Sequence, residues 1–383
     1  VCINTPGSFV CGPSAYYICD CGFDANPNCV PGDDANTGTS PDSPWQTVAK
    51  AVGQWKKLTA GGSLNYCRGG SLEIGVAGHQ DLQNPNCTVQ HPCAIQDYMP
   101  PWAGGSEARP ILTPNSNKAA FRVMMTSYYI QQNLVYTGYL FRNLQVLGQN
   151  TDQIAFHLLG PNIEHVTIDN VLVDGFKIGV NSAGLRYVTV KNSTLINNHR
   201  HGWLGGGDHT LLLNNHFENN GGHDPVKDHN IYVSGGLGTP VTDIQVIGNT
   251  LYRSAKKNGL CVGISLVVHG GVINDLLIED NFIYEDLDEV NDGCFGIGVT
   301  PYDSKGIGDA FHNTIIRGNI IQDVGQKGIE VASCVNCLIE NNIVSNEQTS
   351  GDPFASFGIS ACHTHHSHSS HTSFVRARRA GKR

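Results

Sequence analysis

A short frame, an apolar anchor flanked by polar positions, recurs at Phe141, Ile168, Val190, Leu212, Val246, Ile278, Ile316 and Ile339. Successive anchors lie 27, 22, 22, 34, 32, 38 and 23 residues apart, a basic step interrupted by insertions at a few places. Two or three positions after each anchor stands an Asn: Asn143, Asn170, Asn192, Asn215, Asn249, Asn281, Asn319 and Asn342. A second frame follows in each turn, as Phe176-Lys-Ile-Gly-Val, His201-Gly-Trp, His229-Asn-Ile-Tyr-Val, Val262-Gly-Ile-Ser-Leu, Phe295-Gly-Ile-Gly-Val, Lys327-Gly-Ile-Glu-Val and Phe357-Gly-Ile-Ser. Ile- and Val-rich runs this short, cornered by Asn and Gly and without helical periodicity, predict two strands per repeat. Such strands cannot bury an apolar face alone and do so by stacking on the next copy, so the expected fold is all-β, a parallel β-helix.

The Asn series is expected to be structural, a ladder of amide hydrogen bonds running from rung to rung. That disfavours Asn192-Ser-Thr as a glycosylation sequon and leaves Asn86-Cys-Thr as the better candidate. Ahead of the coil, residues 43–55 predict one amphipathic helix with Ser43 as N-cap, Pro44 in its first turn and Gln46 completing a capping box. Its Val48, Ala51, Val52 and Trp55 would cover the open first turn of the coil. The expected organisation is a Cys-rich knot over 1–31, the β-helix over 32–362 and a flexible His-rich and basic tail over 363–383.

With 40% hydrophobic and 15% charged residues, the 383-residue chain reads as folded. It has no apolar run long enough to span a membrane. Up to residue 375 it carries 19 basic against 33 acidic residues, a net −14, which repels nucleic acid and polyanionic sugars alike unless basic clusters or cations intervene. Thirteen cysteines, five of them within the first 29 residues, point to an oxidising compartment and a secreted or surface protein whose signal peptide has been removed. Zinc at Cys334-Val-Asn-Cys337 ranks below disulfide chemistry, because no partner pair stands at ligand spacing. Cys261 and Cys294 each precede a strand start in successive coils and are expected to be bonded.

Gly32-Asp-Asp-Ala-Asn-Thr-Gly-Thr followed by Pro44-Trp-Gln-Thr resembles the entry segment of the pectate-lyase-like, right-handed β-helix superfamily. That resemblance implies a right-handed single-stranded coil with an N-terminal capping helix, in a group that holds lyases, hydrolases, epimerases, tail spikes and adhesins. Asn198-His-Arg200-His201-Gly202-Trp203, with Asp208-His-Thr-Leu-Leu-Leu-Asn-Asn after it and Asp174-Gly-Phe one coil earlier, resembles the Arg-His-Gly motif of mannuronan epimerases and, more distantly, of β-helical alginate lyases. The resemblance implies that Arg200 neutralises a uronate carboxylate and that His201 moves the proton at sugar carbon 5.

The residues support that chemistry on their own terms. A proton alpha to a carboxylate is weakly acidic, so its abstraction needs the carboxylate neutralised and a base in reach. Lys227, His229 or Tyr232 could serve as base or acid, and Asp208, Asp224 and Asp228 could hold Ca²⁺ bridging to an acidic polysaccharide. Asp and His at such corners also commonly cap backbone groups. Asp286, Asp288, Glu289 and Asp292 form an acidic loop that could supply a hydrolase's carboxylate pair or a solvated face. The function expected is a lyase or epimerase of uronate-containing polysaccharide. The alternative is a non-enzymatic surface, adhesin or filament-forming protein, since no apolar helix closes the last turn and an open β edge invites self-assembly.

Overall fold

The computed structural model describes the chain except residues 1, 6–7, 12–13, 76–77, 125–133, 150–151, 225–226, 236–238, 292, 302–309, 326, 346–356, 363–367, 371–372 and 376–383. The fold is a right-handed parallel β-helix, and the chain falls into two compact units, Val1–Phe176 and Lys177–Arg383. Asp292, the loops at 302–309 and 346–356, most of the His cluster of the tail and its basic end lie outside the described residues.

In the first unit the strands Ala15–Ile18, Ser63–Cys67, Cys93–Tyr98, Tyr136–Arg142 and Ile163–Asp169 pair in parallel, stacking Leu64 on Ile95, Ile95 on Phe141 and Phe141 on Ile168. The coil thus starts inside the expected Cys-rich knot, at residue 15. The capping helix is present but shorter than expected, Val48–Val52, and its N-cap is Thr47, whose side chain accepts from the Lys50 N–H. Pairing decides this: the Trp45 N–H donates to Tyr17 O and its carbonyl accepts from Cys19 N–H, which holds residue 45 extended beside Ile18. Asp34 accepts the Gln46 and Thr47 N–H groups and the Thr47 hydroxyl, which takes these donors out of a helix starting at Ser43. Val48, Ala51 and Trp55 are buried as expected, with the helix packed on strands Ala15–Ile18 and Ser71–Ile74.

In the second unit three inward columns run through successive rungs. They are Val190, Leu212, Val246, Ile278, Ile316 and Ile339; Leu195, Phe217, Leu251, Ile283, Ile321 and Val344; and Val180, Trp203, Ile231, Leu266, Ile297 and Ile329. The first column is the predicted anchor series in register. Pairing also continues past the expected boundary at 362, through His368–Ser370 and Ser373–Val375.

The Asn series resolves into two columns. Asn215, Asn249, Asn281, Asn319 and Asn342 are buried, and each side-chain carbonyl from Asn249 on accepts both the backbone and the amide N–H of the preceding Asn at 2.9–3.0 Å. Asn143, Asn170 and Asn192 belong to a separate column one residue earlier in the corner, with φ of 56°, 54° and 51°. Asn tolerates this left-handed conformation. Asn192 is exposed there and lies outside the buried ladder, whereas the Asn86 amide donates to Leu58 O and its neighbour Cys87 is bonded to Cys93.

Candidate functional site

Two corners of the second unit hold the residues singled out in the sequence. Arg200 precedes the strand His201–Gly206, and Asp228 and His229 precede the strand Ile231–Ser234, which pairs with it through Trp203 and Ile231. A second amide ladder, not seen in the sequence frame, fixes both corners: Asn198 donates to Asn220 Oδ1, Asn220 to Asn230 Oδ1 and Asn230 to Tyr252 O. Gly202 has to be small, since a Cβ there would stand 2.6 Å from the Phe217 ring and 2.8 Å from Asn230 O.

Asp228, with no exposed side-chain surface, organises the cluster. Arg200 Nε donates to its Oδ1 at 3.0 Å and His201 Nε2 lies 3.4 Å from the same oxygen. The Asp224 N–H donates to Oδ2 at 2.9 Å and His223 Nδ1 stands 3.5 Å from it. Arg200 is about one third exposed, and no protein partner takes its terminal guanidinium nitrogens among the described residues. A buried carboxylate thus aims a half-exposed cation.

The two histidines differ. Both are 2% exposed and the difference lies in their hydrogen bonds: His201 Nδ1 accepts the His229 N–H at 3.2 Å, which puts its proton on Nε2 toward Asp228. Burial, with His229 and Arg200 beside it, lowers its pKa to about 2, so the approach to Asp228 is that of a neutral ring and not an ion pair. Both nitrogens are committed, and the proton transfer that the motif resemblance implied for His201 has no free lone pair there. His229 donates from Nδ1 to Ile264 O at 2.7 Å, leaving the lone pair on Nε2, for which the described residues offer no partner. Burial pushes its pKa down to about 3. Tyr232 lies with its ring 5.5 Å from that of His201 and 5.7 Å from that of His229.

His269, absent from the sequence reading, adds a fourth ring 5.7 Å from Tyr232, with Nδ1 on Thr300 O. Strand register, pairing Ser234 with His269, is the signal that would have found it.

The three aspartates do not converge. Asp208 sits at the far end of the strand His201–Gly206, roughly 20 Å of extended chain from His201, where its Oδ1 accepts the Thr242 N–H. Asp224 is paired at 3.0 Å with the exposed Lys227, and Asp228 is saturated by its own neighbours. Ca²⁺ takes six to eight oxygens, so these residues do not fit it. The acidic loop is likewise structural: Asp286 accepts from Tyr252 and Arg253, and Glu289 pairs with Lys256. Disulfides join Cys19–Cys67, Cys21–Cys29, Cys87–Cys93 and Cys261–Cys294, and the sulfurs of Cys334 and Cys337 also meet. No helix among the described residues is long and apolar enough to cross a membrane.

The fold is a right-handed parallel β-helix, with this cluster of Arg, His and Tyr side chains on its coil. Solved structures align with much of the chain. A GH136 lacto-N-biosidase from Eubacterium ramulus aligns over 91% of this chain and 67% of its own at 13% identity, TM-score 0.51. An alginate lyase from a Paenibacillus species aligns over 83% and 97% at 14% identity, TM-score 0.47. A mannuronan C-5 epimerase A-module from Azotobacter vinelandii aligns over 85% and 96% at 14% identity, TM-score 0.42. Neither a protein-family model nor a curated protein matches the sequence.

Proposed function

We propose that the protein is a carbohydrate-active enzyme acting on uronate-containing polysaccharide, a lyase or epimerase that removes the proton at carbon 5. The observation that carries this reading is the combination of Arg200, aimed by buried Asp228, with a neutral His229 whose Nε2 lone pair has no partner among the described residues. The terminal nitrogens of Arg200 bind the uronate carboxylate and draw charge out of the carbon–hydrogen bond, and His229 Nε2 takes the proton. The arriving carboxylate raises the depressed His229 pKa toward the working range, as an anion beside an imidazole does. The electron pair left at carbon 5 either expels the glycosidic oxygen at carbon 4, with Tyr232 giving that oxygen a proton, or accepts a proton on the opposite face. The lacto-N-biosidase that shares this fold supports a carbohydrate substrate.

Incubation with alginate, pectate and glucuronan, followed by ultraviolet absorption for unsaturated product and by NMR for inversion at carbon 5, tests the reading. Product from one polymer, lost in His229→Gln, is the expected result. Silence with all three polymers in both assays removes it.

A further inference from the structure

The entry segment of the first unit does more than close the coil. Residues 30–44 and 98–102 wall a cleft of about 300 Å³, at the small end of ligand sites. Its lining includes the apolar Pro31, Pro100 and Trp102, the exposed Asp33 and Asp42, and Tyr98.

The walls are built before any ligand arrives. Gly32 N–H donates to Cys19 O, Asp33 N–H and the Asn36 amide donate to Pro44 O, and the Trp45 indole donates to Asn36 O. Gly38 is required, at φ 69° and with its Cβ position 2.4 Å from the Trp45 ring. The Cys19–Cys67 and Cys21–Cys29 bonds tie this loop to the coil. On the other wall the Tyr98 carbonyl accepts from Arg68 N–H, its ring packs edge-on at 5.0 Å against Tyr17, and Ala103 N–H closes a turn on Pro100 O. Preorganised walls cost little ordering on binding.

Two donors in this cleft lack partners. The Tyr98 hydroxyl is buried and makes no hydrogen bond. Burial raises the Tyr98 pKa, so the phenol keeps its proton and donates. The Trp102 indole N–H has no protein partner among the described residues. A buried unpaired hydroxyl is costly to the fold, and a ligand oxygen recovers that cost. The acceptors are carboxylates: Asp33 engages one oxygen with Ala35 N–H and Asp42 one with Ser40 Oγ, leaving one oxygen each. No Lys, Arg or His lines the cleft.

We propose that this cleft is a binding subsite for a neutral sugar residue of a polysaccharide, its C–H face on Trp102 and Pro100 and its hydroxyls on Tyr98, Asp33 and Asp42. A pyranose presents both an apolar face and hydroxyls that donate to carboxylates, matching the two kinds of surface. A uronate is repelled by the same two aspartates. The proposal does not depend on the uronan reading of the second unit.

The test titrates the full chain with xylohexaose, cellohexaose and mannohexaose by tryptophan fluorescence and calorimetry, with hexagalacturonate and a proline decapeptide as competitors. At least one neutral hexasaccharide binds, Trp102→Ala weakens it about tenfold or more, and Asp42→Asn weakens it with the melting temperature unchanged. If Trp102→Ala fails to fold, the exposed Asp42→Asn decides alone. The proposal is overturned by no neutral binding at millimolar sugar, by binding indifferent to both variants, or by displacement with the uronate or the peptide.

Discussion

At the residue scale, His201 and His229 differ in which nitrogen each spends on the backbone. His229 gives Nδ1–H to Ile264 O and keeps a lone pair, whereas His201 spends its lone pair on the His229 N–H. Under the proposed function, His229→Gln lowers kcat by about 10²-fold or more with the melting temperature little changed. His201→Leu instead strands the buried His229 N–H and costs about 1–3 kcal/mol of stability, read by denaturant unfolding. Glu285 gives a second test. It is 4% exposed, one carboxylate oxygen accepts from Ser254 N–H and the other has no partner, and burial raises its pKa to about 8. A folded pKa above the unfolded one means this group's stabilisation holds below about pH 4.5 and is lost as pH rises toward 8. Glu285→Gln therefore gains stability over the parent between pH 5 and 8 on the order of a few kcal/mol, measured by unfolding at each pH.

At the element scale, the buried Asn ladder and the apolar columns hold successive rungs in register. Asn281→Leu strands the buried Asn249 backbone N–H, while the Asn249 amide keeps Leu212 O and Ile247 O, and costs about 1–3 kcal/mol, seen as a lower midpoint in urea. The expected Cys261–Cys294 bond is present, with α-carbons 5.2 Å apart. The register behind that expectation is corrected, though. Ile264, not Val262, stands opposite Phe295, and Cys261 reaches its partner from a short hairpin with Lys256–Lys257. The bond closes a span of 33 residues, so replacing both cysteines by Ala costs about 3–4 kcal/mol, read as a lower melting temperature with far-ultraviolet dichroism retained.

At the scale of the whole molecule, acid sensitivity is set by imidazoles buried in their neutral form. His79, His201 and His229 have pKa values lowered to about 3, 2 and 3, each chiefly by burial. Folded pKa values below the unfolded 6.5 mean their contribution is complete above pH 6.5 and lost as pH falls toward 3, because the unfolded chain takes up the protons. Unfolding near pH 5 is therefore accompanied by uptake of roughly three protons from these groups, and the melting temperature falls steadily from pH 7 to 4. A melting temperature flat over that range would mean the three rings are protonated in the folded state. Glu285 acts in the opposite direction above pH 4.5, which places the stability maximum between the two trends.

The sequence by itself determined the coil, the anchor column and the neighbourhood of the site, because stacking in a β-helix is local in sequence step and writes itself as a repeat. Phe141 on Ile168 and Leu212 on Val246 are legible for that reason. It also placed Arg200, His201, His229 and Tyr232 together, since residues one coil apart at the same corner must meet. The tertiary structure decided what a one-residue offset changes. Corner geometry split one Asn series into a buried ladder and an exposed left-handed column, and strand direction carried Asp208 away from Asp224 and Asp228. Backbone hydrogen bonds from neighbouring coils made His229 rather than His201 the ring with a free lone pair. Those outcomes depend on where a carbonyl or N–H of another rung points, a direction that periodicity does not encode.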